Sequence, residues 1–158
     1  MLKFYLNWGF DVVGIDNIDD YYDPQLKLDR LENLNTFVSE KKLQDSYQFT
    51  KLEITDESAL KELFYQHDFD IVVNLAAQAG VRYSLENPSA CIVSNLVGCA
   101  NVLECFRHVS IEHFIFASSS SVYGMNTKQP FSTSDNTHFP ISLYAATKKN
   151  QRITGLFI

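Results

Sequence analysis

The sequence is poor in the residues that mark several whole classes of protein. Its three cysteines, Cys91, Cys99 and Cys105, form no Cys-x-x-Cys pair. An odd, closely spaced set suits neither a disulfide framework nor a zinc site, so no metal site is expected. Buried thiols in a reducing, cytoplasmic compartment are the expectation instead. Basic residues are outnumbered, 13 Lys and Arg against 19 Asp and Glu, and a net charge of −6 argues against a nucleic-acid surface. No apolar run is seen to approach the about 20 residues of a membrane span, so no membrane partner is expected. The six glycines include no Gly-x-x-Gly-x-x-Gly turn, and repeats and low-complexity tracts are absent.

What is there fits one globular domain: 158 residues, 46% hydrophobic and 20% charged. The stretch from Phe114 to Lys148 organises it. Phe114-Ile-Phe-Ala-Ser-Ser-Ser-Ser-Val-Tyr-Gly124 reads as a buried parallel strand whose carboxyl end opens into a hydroxyl cluster. Tyr144-Ala-Ala-Thr-Lys148 then places a phenol and an amine one helical turn apart, on one face. A phenol titrates near about pH 10, so it becomes a useful base only where positive charge favours the phenolate. Lys148 can supply that charge, and a serine at the strand end can relay a substrate hydroxyl proton to Tyr144. Such a set oxidises a secondary alcohol.

Spacing alone is weak, because Tyr47 and Lys51 repeat it inside an alternating, strand-like segment. Elsewhere the pattern alternates strands and helices. Strands are expected at Asp11–Ile15, Tyr47–Leu52, Asp70–Leu75 and Glu112–Ala117, the third buried on both faces. Helices are expected over Met1–Trp8, ended by Gly9, and from Pro24, with Leu26, Leu28, Leu31, Leu34, Phe37 and Val38 in period. A third runs to about Gln66, with Thr55 as a candidate cap. A fourth opens at Asn87-Pro88 and runs to about His108, with Ile92, Leu96, Val97, Ala100, Leu103 and Phe106 as its apolar stripe.

The Ala117–Gly124 run followed by Tyr144-x-x-x-Lys148 resembles the extended short-chain dehydrogenases, in particular the nucleotide-sugar epimerases. Val12-Val-Gly-Ile-Asp-Asn-Ile-Asp-Asp-Tyr-Tyr-Asp-Pro-Gln-Leu-Lys27 and Asn74-Leu-Ala-Ala-Gln-Ala-Gly-Val-Arg-Tyr-Ser84 are similar to UDP-glucuronate 4-epimerases. The resemblance extends to about Gln151. It implies a Rossmann-like, doubly wound α/β fold, NAD as cofactor and a UDP-sugar as substrate. It also implies Ser119, Tyr144 and Lys148 as the catalytic set, and homodimers are common in the family.

Further roles follow from the resemblance. Asp16, aided by Asn17, would accept the ribose hydroxyls of NAD and repel the extra phosphate of NADP, although an Asp-Asn pair also simply forms turns. Glu53 and Ile54 would meet the adenine, unless the segment only starts a helix. Leu75, Ala76 and Ala77 would line the cofactor, and Asn95 would touch its nicotinamide side or else be a satisfied polar core residue. Gln78, Arg82 and Ser84 would lie toward the sugar nucleotide, as would Ser119 and Ser121; for Arg82 a surface ion pair is the competing account. Relatives that dehydrate or decarboxylate carry an acid beside the catalytic hydroxyl. Ser120 and Ser121 stand there instead, which favours simple epimerisation.

The same resemblance makes residues 1–158 a single partial NAD-binding domain, lacking the family's first strand, its glycine-rich turn and its C-terminal substrate region. In the expected strand order, 3-2-1-4-5, the absent strand divides the sheet into two pairs. The chain by itself is accordingly expected to fold poorly, bind NAD poorly and be inactive. The functional expectation is a UDP-glucuronate/UDP-galacturonate 4-epimerase. A UDP-glucose 4-epimerase, another NAD-dependent sugar oxidoreductase, and a non-catalytic remnant or association module are the alternatives.

Overall fold

A computed structural model describes residues 1–154, with side chains through Arg152. It divides into two compact units, Met1–Glu53 and the part from Ile54 onward. The departure from the family pattern expected after Gln151 falls partly on residues 155–158, outside the described residues.

In the first unit, helix α1 (Leu2–Asn7) leads into strand β1 (Val12–Asp16), helix α2 (Pro24–Lys41) and strand β2 (Tyr47–Lys51). Gly9 takes a positive φ just beyond α1, as the expected helix end requires. Asp23 caps α2 by accepting from the Gln25 amide at 2.9 Å, with Pro24 as the first helical residue. β1 and β2 pair in parallel, from Val12 opposite Tyr47 to Asp16 opposite Lys51. The core between helices and sheet is Leu6, Leu34 and Val38, with Leu2, Val12, Phe37, Leu43 and Tyr47 packed on it. Leu26 and Leu28, which share the apolar period, face outward. The strand also disposes of the second Tyr-x-x-x-Lys: Tyr47 and Lys51 sit at opposite ends of β2, about 13 Å apart at strand rise.

In the second unit, helix α3 (Glu57–Gln66) is followed by strand β3 (Ile71–Asn74), short helices α4 (Tyr83–Glu86) and α5 (Pro88–Ile92), helix α6 (Cys99–Phe106), strand β4 (His113–Phe116) and helix α7 (Leu143–Thr154). β3 and β4 are parallel, Ile71 opposite His113 and Asn74 opposite Phe116. The two strand pairs are those the family order expects. Among the described residues each strand has one hydrogen-bonded neighbour, which leaves one edge open, and β3 is not buried on both faces: Ile71 is exposed and Val72 and Val73 only half-buried. Asp56, not Thr55, caps α3, accepting from the Ala59 amide at 3.0 Å. Leu60, Leu63 and Phe64 face inward as their spacing requires.

The long apolar stretch differs most from its sequence reading. Asn87 and Pro88 do start it, with Asn87 accepting from the Ala90 amide at 3.2 Å. Between α5 and α6, however, Val93–Gly98 forms a π-helical turn. Its buried face carries Cys91, Asn95, Gly98, Cys99, Val102, Leu103 and Cys105, while Ile92, Val97 and Ala100 face out. At Gly98 the reason is close approach. A Cβ at Gly98 would lie 2.5 Å from Ile54 Cδ1, so only small side chains fit on the inner face there. Pro88–Phe106 is also long and apolar enough, by length and composition, to cross a membrane, which corrects the expectation that no such stretch exists. The core helix of an α/β unit meets the same criterion.

Two stability outcomes follow. Gly98→Ala is expected to lower stability by about 1–3 kcal/mol despite the better helix former, because buried, β-branched Ile54 must shift. Denaturant unfolding checks this, and Ile54→Val, which removes the nearest atom, should recover part of the loss. Tyr47 Oη is buried with no hydrogen-bond partner among the described residues. Tyr47→Phe should therefore raise stability by about 1 kcal/mol in the same assay.

Candidate active site

At the carboxyl ends of β1 and β2, three of the residues singled out in the sequence come together. Asp16 Oδ1 accepts from the Ile18 amide at 2.7 Å and from Lys27 Nζ at 3.1 Å. Asn17 Nδ2 donates to Glu53 Oε2 at 2.6 Å, and its Oδ1 accepts from the Asp19 amide at 3.1 Å. Asp16 thus forms the turn that was the competing account of it, and the turn is strained: Ile18, β-branched, has φ 54°. Strain of this kind clusters at ligand sites. Lys27 was missed in the sequence. It lies in the first turns of α2 and also meets Asp19 Oδ1 at 2.9 Å. Burial opposes its charge, but bonds to Asp19 and Asp16 outweigh this and hold its pKa above the usual lysine value.

In the second unit, β3 ends at Asn74, whose Oδ1 accepts from the Ala76 amide at 3.0 Å. Leu75, 53% exposed, and Ala76 then lie open beyond the strand, with Ala77 half-buried. The next residue is clamped. The Gln78 amide donates to Asn95 Oδ1 at 2.8 Å, and Asn95 Nδ2 donates back to the Gln78 carbonyl at 3.2 Å. Asn95 is 0% exposed, and its Nδ2 also meets Cys91 Sγ at 3.3 Å and Thr147 Oγ1 at 3.1 Å. Its amide therefore holds the loop that leaves β3, the satisfied core residue of the alternative account. The Arg82 side chain is 94% exposed and pairs with Glu86 at 3.3 Å, a surface ion pair of small energetic weight. Ser84 is 1% exposed; its Oγ donates to the Val81 carbonyl at 2.7 Å and accepts from the Tyr144 amide at 3.2 Å.

At the end of β4 the chain stays extended at Ser119 and then turns through Ser120–Tyr123. Ser119 Oγ accepts from the Ser121 amide at 3.2 Å and from Ser121 Oγ at 2.9 Å, both residues being half-buried. Gly124 has φ 54°, and a Cβ there would overlap the Phe139 carbonyl oxygen, so the serine turn runs close to the segment that enters α7. On α7, Tyr144 is half-buried and Lys148 is 3% exposed. Lys148 Nζ donates to the Ala117 carbonyl at 3.0 Å, two residues before Ser119. The ammonium thus docks on the strand end that carries the serine. Burial lowers the Lys148 pKa from the usual value, against an opposing pull from Cys99 and Cys91. Among the described residues, no group of three or more His, Cys, Asp or Glu side chains could hold a metal ion.

Parallel strands with helical crossovers, and polar side chains gathered at the strands' carboxyl ends, define a Rossmann-like α/β protein of the extended short-chain dehydrogenase type. Residues 1–154 match the family described as GDP-mannose 4,6 dehydratase, and the chain belongs to it. It is 48% identical over 153 residues to Protein CapI of Staphylococcus aureus, covering 97% of this chain and 43% of that protein. It is 48% identical over 145 residues to UDP-glucuronate 4-epimerase 3 of Arabidopsis thaliana, covering 89% and 31%. Among solved structures it is similar to a mutant of the UDP-glucuronic acid 4-epimerase from Bacillus cereus, determined with UDP-4-deoxy-4-fluoro-glucuronic acid and NAD. There the TM-score is 0.83 at 27% identity, covering 99% of this chain and 46% of that one. The chain therefore spans less than half the length of these relatives.

The buried lysine makes stability depend on pH with a definite sign. Its folded pKa lies below the ordinary 10.5, so between the two values the unfolded chain binds more protons. The penalty is full below the folded pKa and fades as pH rises to 10.5. Relative to Lys148→Met, the native protein should gain stability as pH climbs through that window. Urea unfolding at several pH values, with parallel curves for the two proteins, would contradict it.

Proposed function

We propose that the protein serves as an NAD-dependent UDP-sugar 4-epimerase of the UDP-glucuronate/UDP-galacturonate type. The observation that carries this is the arrangement at the end of β4: the Ser119–Ser121 hydroxyl pair beside the Ala117 carbonyl that receives Lys148 Nζ, with Tyr144 one helical turn before Lys148. The epimerase relatives support the substrate class. Ser120 and Ser121, standing where an acid would assist elimination, favour epimerisation over the dehydration in the family's description.

The residues fit NAD by their chemistry. The Asp16, Asn17 and Glu53 cluster suits ribose and adenine, and the open Leu75–Ala77 segment suits the approach of a ligand to backbone. NAD, when bound, supplies the acceptor and later the donor of the hydride from C4. Tyr144 takes the C4 hydroxyl proton through Ser119 and returns it when C4 is reduced on its other face. Lys148 supplies positive charge beside these groups and fixes α7 against the strand. Ser121, bonded to Ser119, orients the relay, and Gln78, its backbone clamped by Asn95, faces the sugar nucleotide.

Three buried free thiols suit a cytoplasmic location, and outward Ile92, Val93 and Val97 offer a face for homodimerisation. Residues 1–158 act as one partial NAD-binding domain in this reading. Taken alone they bind NAD weakly and are inactive, since no Gly-x-x-Gly-x-x-Gly turn is present to hold the pyrophosphate. Tight NAD binding in a calorimetric titration of the 158 residues would overturn that point.

The whole gene product, incubated with NAD and UDP-glucuronate, is expected to form UDP-galacturonate, resolved by ion-exchange chromatography. Tyr144→Phe should slow the conversion at least about a hundredfold. Turnover of UDP-glucose alone would move the assignment to the UDP-glucose 4-epimerases, and no turnover of any UDP-sugar would reject it.

A further inference from the structure

Ser84 was expected near the sugar nucleotide, but its geometry is that of an internal fixture. Its Oγ is buried and bonded in both senses, donating to Val81 and accepting from the Tyr144 amide. That amide is the second of α7, one of the helix-start donors that no carbonyl of the helix itself can reach. A helix usually satisfies such donors with its own cap. Here Ser142 does so for the Ala145 amide at 3.0 Å, and the Tyr144 amide is held from 60 residues away.

The bond continues a polar seam along one face of α7. Thr147 Oγ1 meets Cys91 Sγ at 3.6 Å and Asn95 Nδ2 at 3.1 Å, and Gln151 Nε2 donates to the Asn95 carbonyl at 2.7 Å. Positions 144, 147 and 151 of α7 thus meet Ser84, Cys91 and Asn95 in order. The lower two contacts seat the helix. The uppermost acts on the residue whose phenol moves the proton. A slip of one residue there would shift the backbone about 1.5 Å and rotate the side chain about 100°. Lys148, the next position round the helix, would leave Ala117 with it.

We propose that Ser84 is a positioning residue for the reaction, its buried Oγ fixing the start of α7 and so the placement of Tyr144. This rests on the epimerase reading above. Ser84 itself does not touch substrate. Since misplacement by about 1 Å can cost up to about a hundredfold in rate, losing this tether acts on turnover rather than on binding.

The test compares Ser84→Ala, Ser84→Thr and Ser142→Ala in the whole gene product. Ser84→Ala should lower kcat about tenfold and leave KM for UDP-glucuronate within about twofold. Ser84→Thr, which keeps the Oγ, should recover most of the rate. Ser142→Ala removes a cap of similar strength from the same helix and should match the loss in Tm while keeping kcat. Should Ser84→Ala fail to fold, Ser84→Cys, close in volume and a weaker acceptor, takes its place. An unchanged kcat, an equal fall in Ser142→Ala, or a rise in KM alone would overturn the proposal, the last returning Ser84 to substrate contact. If the native protein converts no UDP-sugar, the functional reading fails by itself. The tether is then read from the 13C signals of the Tyr144 ring, which Ser84→Ala should displace more than Ser142→Ala does; an undisplaced ring overturns it.

Discussion

A fully buried amide needs a partner for each polar atom, and in the second unit Asn95 finds those partners on three separate segments. Its oxygen and nitrogen close a two-way clamp on the main chain of Gln78, and its nitrogen also meets Cys91 and Thr147. Leaving such a group unpaired costs on the order of 1–3 kcal/mol, so the loop beyond β3, the π-helical turn and α7 are held in one arrangement or the unit loses stability. The π turn belongs to the same constraint. It carries Asn95 and Gly98 inward together, the one to bond and the other to let Ile54 pass.

The two units treat their lysines in opposite ways, and each way suits the chemistry nearby. Lys27 keeps its charge because Asp16 and Asp19 offset its burial, which leaves a bonded cluster with one net negative charge beside Glu53 at the strand ends. Lys148 is buried against a carbonyl, with the Cys99 and Cys91 thiols as the acids that oppose its desolvation, so its ammonium is held at a cost. That cation sits one helical turn from Tyr144 on α7 and is bonded to the strand end two residues before Ser119. The serine turn adds a directed hydroxyl, since Ser121 donates to Ser119 and leaves the Ser119 proton to point elsewhere.

Much of this was legible in the sequence because it is local. The hydroxyl run after an apolar strand, the Tyr/Lys spacing on a helix and the Pro24 and Asn87-Pro88 helix starts follow from periodicity and cap chemistry, while the pairing of strands followed from the family resemblance. Lys27 left no such signal, because its pairing with Asp16 depends on how α2 folds back beside β1. Half of the apolar stripe expected on the long helix, Ile92, Val97 and Ala100, faces outward for a related reason, while Leu103 is buried as expected. Hydrophobicity ranks Ile92 and Val97 above Cys91, Gly98 and Cys99, and at position 98 it is the nearness of Ile54 that makes glycine the residue that fits inside.

Sequence by itself determined on which elements the candidate site groups lie: a phenol and an amine on α7, hydroxyls after β4, carboxylates after β1 and β2. For the phenol, the amine and the hydroxyls this needs only near-neighbour spacing, which helix and strand geometry convert directly into position. Tertiary structure decided which polar groups stay partly open at the strand ends and which are used up inside the fold. Ser84 and Asn95 are as polar in sequence as Ser119 and Glu53. Burial fills their hydrogen-bonding capacity in part with groups distant in sequence, Tyr144 for Ser84 and Gln78 and Thr147 for Asn95, and no local pattern records that.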